Sequence, residues 1–214
     1  MNPATTNTQA SGAGRPKDPA KREAILSAAK SLFLSNGYEG SSMDAIAAEA
    51  GVSKLTVYSH FTDKETLFAA AVKSKCEEQL PQLFFELPAE ASIEQVLLNL
   101  GRGFHDLVNS CESLELHRVM VTQAKIDSTL SQLFLDAGPQ RVMREMERLL
   151  MQANQTGQLS ITDPARAAGH FLNMIKGIHN FRLLIGCSAE LQDEQAVEAH
   201  IQDVVAMFLR AYRP

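Results

Sequence analysis

An all-α fold is predicted, with an N-terminal three-helix unit of helix-turn-helix type and a larger C-terminal helical body. Three observations carry this. Apolar residues recur at i, i+3, i+4 and i+7 in segment after segment, which is the period of a one-sided helix. Ser, Thr or Asp stands ahead of these segments, with Pro or Glu just behind it, the chemistry of helix starts. No stretch alternates convincingly enough to make a strand, apart from a strand-like break at Gly157-Gln158-Leu159.

Met1 to Gly14 is uncharged and rich in Ala, Thr, Asn, Ser and Gly, so residues 1–14 read as a disordered tail without a secretory signal. Arg15, Lys17, Lys21 and Arg22 follow. They suit either a solvated helix end or a basic arm reaching the DNA backbone or a minor groove. Asp18-Pro19 opens the first helix, Ile25, Ala28, Ala29, Leu32 and Phe33 line its buried face, and Asn36-Gly37 ends it.

The next stretch, Ser41 to Phe61, organises the rest. Met43, Ile46, Ala47 and Ala50 make one apolar face, Gly51 supplies a sharp turn, and Ser53 caps a second short helix. Val52, Val57 and Phe61 give that helix a narrow buried stripe, while Lys54, Thr56, Tyr58, Ser59 and His60 form a polar face. A short helix anchored on one side and polar on the other suits a major groove. Ser42 caps the first of the pair, where its hydroxyl or amide can meet a phosphate. Lys54, Leu55 and Thr56 open the second, where groove-reading residues sit; Leu55 offers only apolar contact, for instance to a thymine methyl. Thr62-Asp63-Lys64-Glu65 reads as a capping box opening a helix with Leu67, Phe68, Ala71 and Val72 on one side.

From about Arg15 to Val72 the chain resembles the DNA-binding domain of the TetR family of bacterial transcriptional regulators. The resemblance rests on Ala50-Gly51-Val52-Ser53-Lys54, then Val57-Tyr58-Ser59-His60-Phe61, then Lys64-Glu65. It implies a DNA-binding domain over residues 15–65 and a ligand-binding and dimerisation domain over 66–214. Tyr58 and His60 are similar to the family's phosphate-contacting pair, and Lys64 to its cation at the start of the next helix. Asp44 departs from the basic or polar residue common at its position; it can accept from cytosine or simply suit a helix N-terminus. Asp163-Pro164 with Ala167-Ala168 and Phe171 resembles the AefR-like subgroup. Efflux-pump repressors occur there, so control of efflux genes is an implied target.

The body reads as a helix from Lys64 to about Leu80, a break at Pro81 and Pro88, and a helix from the capping box Ser92-Ile93-Glu94-Gln95 with Leu97, Leu100, Phe104, Leu107 and Val108 inward. Helical periodicity resumes from Leu114 to Ala124 and from Gln140 to Ala153. Two final helices run from Asp163-Pro164 to about Ile185 and from Ala196 to Tyr212. Both carry more apolar surface than one buried side needs, which implies a partner. By resemblance that partner is a second copy joined through a four-helix bundle, with Ile175, Ile178, Phe181, Ile201, Val204, Val205 and Phe208 at the interface. A twofold homodimer sets its recognition helices about 34–36 Å apart on a near-palindromic double-stranded operator.

The resemblance also implies a small-molecule site in the body. Phe84, Phe104, Met120, Phe134, Met143, Met146, Phe171 and Met174 are its candidate lining, since methionines adapt to apolar ligands, although each fits plain core as well. His117, Arg118, Gln123, His170 and Asn173 are candidate polar anchors. A small apolar effector would favour a body conformation whose heads are wrongly spaced for DNA.

The net charge of −5 is unevenly divided. Residues 1–75 hold nine Lys and Arg against seven Asp and Glu, a balance of +2, and residues 76–214 hold eleven against eighteen, a balance of −7. A mildly basic head can approach phosphates while an acidic body stays in solvent. Cys76, Cys111 and Cys187, with no C-x-x-C, read as buried inert thiols in a reduced compartment. No run of 18 apolar residues is present, so no membrane span and a cytoplasmic location are expected. No catalytic motif, metal-ligand set or cofactor loop is found; Gly101-Arg102-Gly103 lies in a helical pattern without a following glycine, and the six histidines are scattered. An enzyme is therefore not expected. The alternatives kept are a helical interaction module without DNA binding, a co-repressor-dependent regulator and an activator.

Overall fold

The computed structural model describes residues 18–124, 128–187 and 193–214, so the expected tail and the Arg15 and Lys17 part of the basic arm lie outside the described residues. Helix α1 spans Pro19–Gly40, α2 Met43–Glu49, α3 Lys54–His60, α4 Lys64–Gln79, α5 Ile93–Asn109, α6 Cys111–Gln123, α7 Ser128–Ala137, α8 Pro139–Gln155, α9 Pro164–Leu184 and α10 Glu194–Tyr212. A 3-10 turn, Gln82–Phe85, follows α4. No strand occurs among the described residues, and Gly157 to Leu159 form a turn and a buried plug.

Helix starts follow the expected chemistry with two adjustments. The Asp18 carboxylate accepts from the Ala20 amide at 3.0 Å, and Pro19 occupies the first turn. Helix α4 is capped by Asp63, whose carboxylate accepts from the Thr66 amide at 2.7 Å, so it begins one residue later than a Thr62 cap requires. Ser92 caps α5 through the Glu94 amide at 3.2 Å, but the Gln95 side chain turns to Asn99 at 3.1 Å instead of closing a box. Helix α7 is an addition. Its Leu130, Leu133, Phe134 and Ala137 have helical spacing, but at 10 residues the segment is too short for that period to stand out.

Two apolar cores result. The first gathers Ile25, Phe33, Ile46, Val57, Leu67 and Phe68 from α1 to α4 and extends to Met120 of α6 and Leu130 of α7. The second gathers α5, α8, α9 and α10 around Leu97, Leu100, Leu149, Phe171 and Phe208. Leu67, Phe68, Ala71 and Val72 of α4 belong to the first core and Cys76 packs against the second, so this helix touches both. At Gly101, a Cβ would lie 2.9 Å from Ile201 Cγ2 and 3.2 Å from Ile175 Cδ1. The Gly-Arg-Gly sequence is therefore a close-packing device where α5 meets α9 and α10.

Packing within one protomer divides the residues of the expected dimer face. Ile175, Ile201, Val204, Val205 and Phe208 are each no more than 2% exposed within one protomer. On α10, Ile201, Val204, Val205 and Phe208 lie on one stripe, which is packed against α5 and α9 of its own chain. Ile178 and Phe181 do face outward, at 67% and 55% exposure, accompanied by Ile185 and, on α10, Met207. Helix α9 is interrupted at Gly177 (φ 57°, ψ −174°), and His200 Nε2 lies 3.1 Å and 3.2 Å from the Met174 and Ile175 carbonyl oxygens. The cysteines also differ from expectation: Cys76 is half-buried, and Cys111 and Cys187 are exposed. All three are free thiols.

Candidate nucleic-acid interface

The two short helices α2 and α3 are positioned by their caps and by Val57. Ser42 Oγ accepts from the Ala45 amide at 3.1 Å, and Ser53 Oγ accepts from the Thr56 amide at 3.1 Å. Between them Gly51 has φ 64°, the left-handed conformation that a side chain would strain, and the Val52 amide bonds back to the Ala47 carbonyl at 3.0 Å. Val57 is fully buried and Phe61 nearly so, so α3 is seated by one stripe alone. Its opposite side faces solvent: Leu55 is 80% exposed and Tyr58 43%. A largely exposed leucine on the polar side of a helix gains little in the isolated protein, which suits an apolar contact made only in a complex.

The sequence-derived contact residues lie together on this surface, in different states of readiness. Lys54 Nζ is 2.7 Å from Asp44 Oδ1 and 3.0 Å from Oδ2, and it lies 6.0 Å from the centre of the Tyr58 ring. Hydrogen bonding to Asp44, with its charge, raises the Lys54 pKa. The Thr56 hydroxyl is 2.8 Å from Ser53 Oγ, and the Ser59 hydroxyl donates to the Thr56 carbonyl at 2.7 Å. Both hydroxyls are thus engaged in the helix that carries them. Tyr58 points outward and its hydroxyl has no hydrogen bond among the described residues. His60 is half-buried beside Phe61, with ring centroids 6.4 Å apart.

Lys64 is held most firmly. It donates to the Tyr38 carbonyl at 3.0 Å, and its ammonium sits 4.1 Å from the centre of the Tyr38 ring, so it ties the start of α4 to the end of α1. Arg22, exposed in the first turns of α1, lies 5.4 Å from the Phe61 ring and brings a second cation to the end of α3. Asp44 as the Lys54 partner was not legible from the sequence, since the two are ten residues apart on different helices.

Two cavities lie behind this interface. One, about 310 Å³, lies where α1 meets α4 and α6 and is lined by Phe33, Phe68, Lys75 and Leu116 among others. The second, about 90 Å³, lies among α4, α5, α6, α7, α8 and α9. They share Val72, Lys75, Ser113 and Leu116. Of the expected lining, Phe104 and Phe134 face the second cavity. Met146 and Phe171 are fully buried in the body core, and Met120 belongs to the head core. Met143, Met174 and Phe84 pack half-buried against the body core, with Phe84 over Gly103. Among the expected anchors, His117 lines the second cavity. Arg118 donates to the Leu183 and Leu184 carbonyls at 2.5 Å and 3.0 Å and so caps α9. Asn173 bonds the Gly169 carbonyl at 2.8 Å, His170 lies 3.4 Å from the Tyr212 hydroxyl, and the Gln123 side chain lies outside the described residues. Lys176 lines the second cavity without having been singled out, because a lysine reads as solvated by default.

Residues 25–71 match the family model described as bacterial regulatory proteins, tetR family, and residues 95–214 match the AefR-like transcriptional repressor, C-terminal domain. The regulator SrpR of Pseudomonas putida is 27% identical over 73% of this chain and 72% of its own. A TetR-family regulator from Mesorhizobium loti MAFF303099 superposes with a TM-score of 0.76 at 30% identity, covering 92% of this chain and all of that one. The flavonoid-responsive regulator FrrA superposes with a TM-score of 0.71 at 30% identity, over 92% and 99%. No described helix is long and apolar enough to cross a membrane.

Proposed function

The chain belongs to the TetR family of bacterial transcriptional regulators, and from that premise we propose that it is a homodimeric repressor released from a near-palindromic operator by a small, largely apolar molecule. The observation that carries the reading is the outward side of α3. It presents Lys54, Leu55 and Tyr58 to solvent on a helix seated by Val57, with a cap at Ser53 that leaves the first turn free to enter a groove. Ser42 and Ser59, with Thr56, His60 and Lys64, complete the contact set; Leu55 reads bases, and Tyr58 and Lys64 meet phosphates.

A second copy fits the exposed side of α9. Ile178, Phe181 and Ile185 repeat at i, i+3 and i+7, and Met207 of α10 extends the apolar surface. The two cavities at the junction of head and body support an effector role, and FrrA supplies a relative whose name states a response to flavonoids. A molecule entering there would favour one spacing of the heads over another. A repressor of bacterial genes works in the cytoplasm. Efflux genes are the proposed target class.

Genomic footprinting with the purified protein tests this. Protection of a near-palindromic site, weakening steeply with salt, is the expected result. Salt-independent or absent DNA binding would leave an interaction module in its place.

A further inference from the structure

The second cavity combines apolar walls with unanswered positive charge. Phe104, Leu107, Val108, Leu116, Phe134 and Val142 form most of its surface, and no Asp or Glu lines it among the described residues. Lys176 enters from α9, half-buried, with no hydrogen bond or ion pair among the described residues. Lys75 enters from α4 and is partly answered by Glu112, 3.4 Å away. His117 Nδ1 lies 2.7 Å from the Ser113 carbonyl oxygen and therefore donates to it, leaving Nε2 as an acceptor in the neutral ring. Burial lowers the His117 pKa, and the Lys176 charge across the cavity lowers it further. A half-buried ammonium with no counter-ion is costly, and its own pKa is lowered by that burial. Such a group is retained more readily where a ligand supplies the missing charge.

Resting on the effector reading above, we propose that the effector is an apolar monocarboxylate whose anionic end pairs with Lys176 and whose body lies toward Leu116. The 90 Å³ cavity alone holds only a few heavy atoms. The neighbouring 310 Å³ cavity shares Val72, Lys75, Ser113 and Leu116, carries Glu78 and Glu112 already paired with Lys30 and Lys75, and brings the space into the range of small-molecule sites, about 300–1,000 Å³. A carboxylate paired with a desolvated ammonium gains charge-assisted hydrogen bonds that an alcohol of the same shape cannot match.

The test is calorimetric titration of the full chain with straight-chain carboxylates from butanoate to decanoate, and with benzoate, each against the alcohol of the same skeleton. At least one carboxylate should bind tenfold or more tightly than its alcohol. Lys176→Met should remove that preference while keeping the melting temperature, Lys176→Arg should retain it, and Lys75→Met should reduce it less. Equal affinity for acid and alcohol, binding of none of the acids, or a preference that survives Lys176→Met would overturn the proposal. If Lys176→Met does not fold, the acid-against-alcohol comparison on the natural chain still decides. Operator release is read separately: alcohols that release DNA without acid preference would sink the carboxylate and keep the ligand-released repressor, whereas acids that bind selectively without releasing DNA would do the reverse.

Discussion

Asp44→Asn is predicted to strengthen DNA binding through Lys54 while leaving the fold intact. The carboxylate holds Lys54 Nζ at 2.7 Å and 3.0 Å, and the two side chains are 63% and 59% exposed. An exposed, solvent-screened pair of this kind contributes little to stability. Asp44 also sits in the first turn of α2, where its negative charge is worth about 0.3–1 kcal/mol. The melting temperature should therefore move by a few degrees at most. The effect on DNA is larger in relative terms, because the released ammonium can neutralise one more phosphate in each protomer. Each added phosphate contact steepens the slope of log K against log salt by about 0.9, so a dimer gains about 1.8. Lowering salt fourfold would then favour the variant by roughly twelvefold over the natural chain. Fluorescence anisotropy on operator and non-operator duplexes across a salt series measures this directly. The same steepening in a Lys54→Ala background would refute the reasoning, since the gain would then come from removing repulsion between Asp44 and phosphate.

Four further outcomes are expected. Lys64→Ala should weaken binding to all duplexes alike and also lower stability by about 1–2 kcal/mol, because its bond to the Tyr38 carbonyl and its ring contact are lost together; chemical denaturation beside anisotropy separates the two effects. Ile178→Asp with Phe181→Asp should give a folded monomer in sedimentation velocity, whereas Val205→Asp, in the core, should give an unfolded chain. Met146→Ala removes a fully buried side chain and should cost about 2–5 kcal/mol in a denaturant titration. Burial raises the Cys76 pKa to about 11, so at pH 8 it stays a thiol and should react with a maleimide far more slowly than exposed Cys111 and Cys187; equal labelling in mass spectrometry would contradict this.

The parts of the molecule written in neighbouring residues were legible from the chain itself. Asp18 with Pro19, Ser42, Ser53 and Ser92 act within a few residues of themselves, so their caps follow from sequence order. The turn at Gly51 and the polar side of α3 follow for the same reason. A helical stripe, however, says only that one side is apolar and not what covers it. Hence Ile201, Val204, Val205 and Phe208, readable as a surface for a second chain, proved to be consumed by α5 and α9. Gly101 is what lets those helices approach, and that contact joins residues a hundred positions apart.

Long-range placement also decided the charges. Lys54 meets Asp44, Lys64 meets Tyr38, and Lys176 faces a cavity with no counter-ion among the described residues, yet the three lysines look alike in the sequence. Composition and period thus determined the helices, their ends and the outward recognition surface, because local hydrogen bonding and burial of one stripe suffice for those. Only the tertiary structure decided which apolar sides were spent internally and which charge each of these lysines faces, because both depend on what distant segments bring alongside.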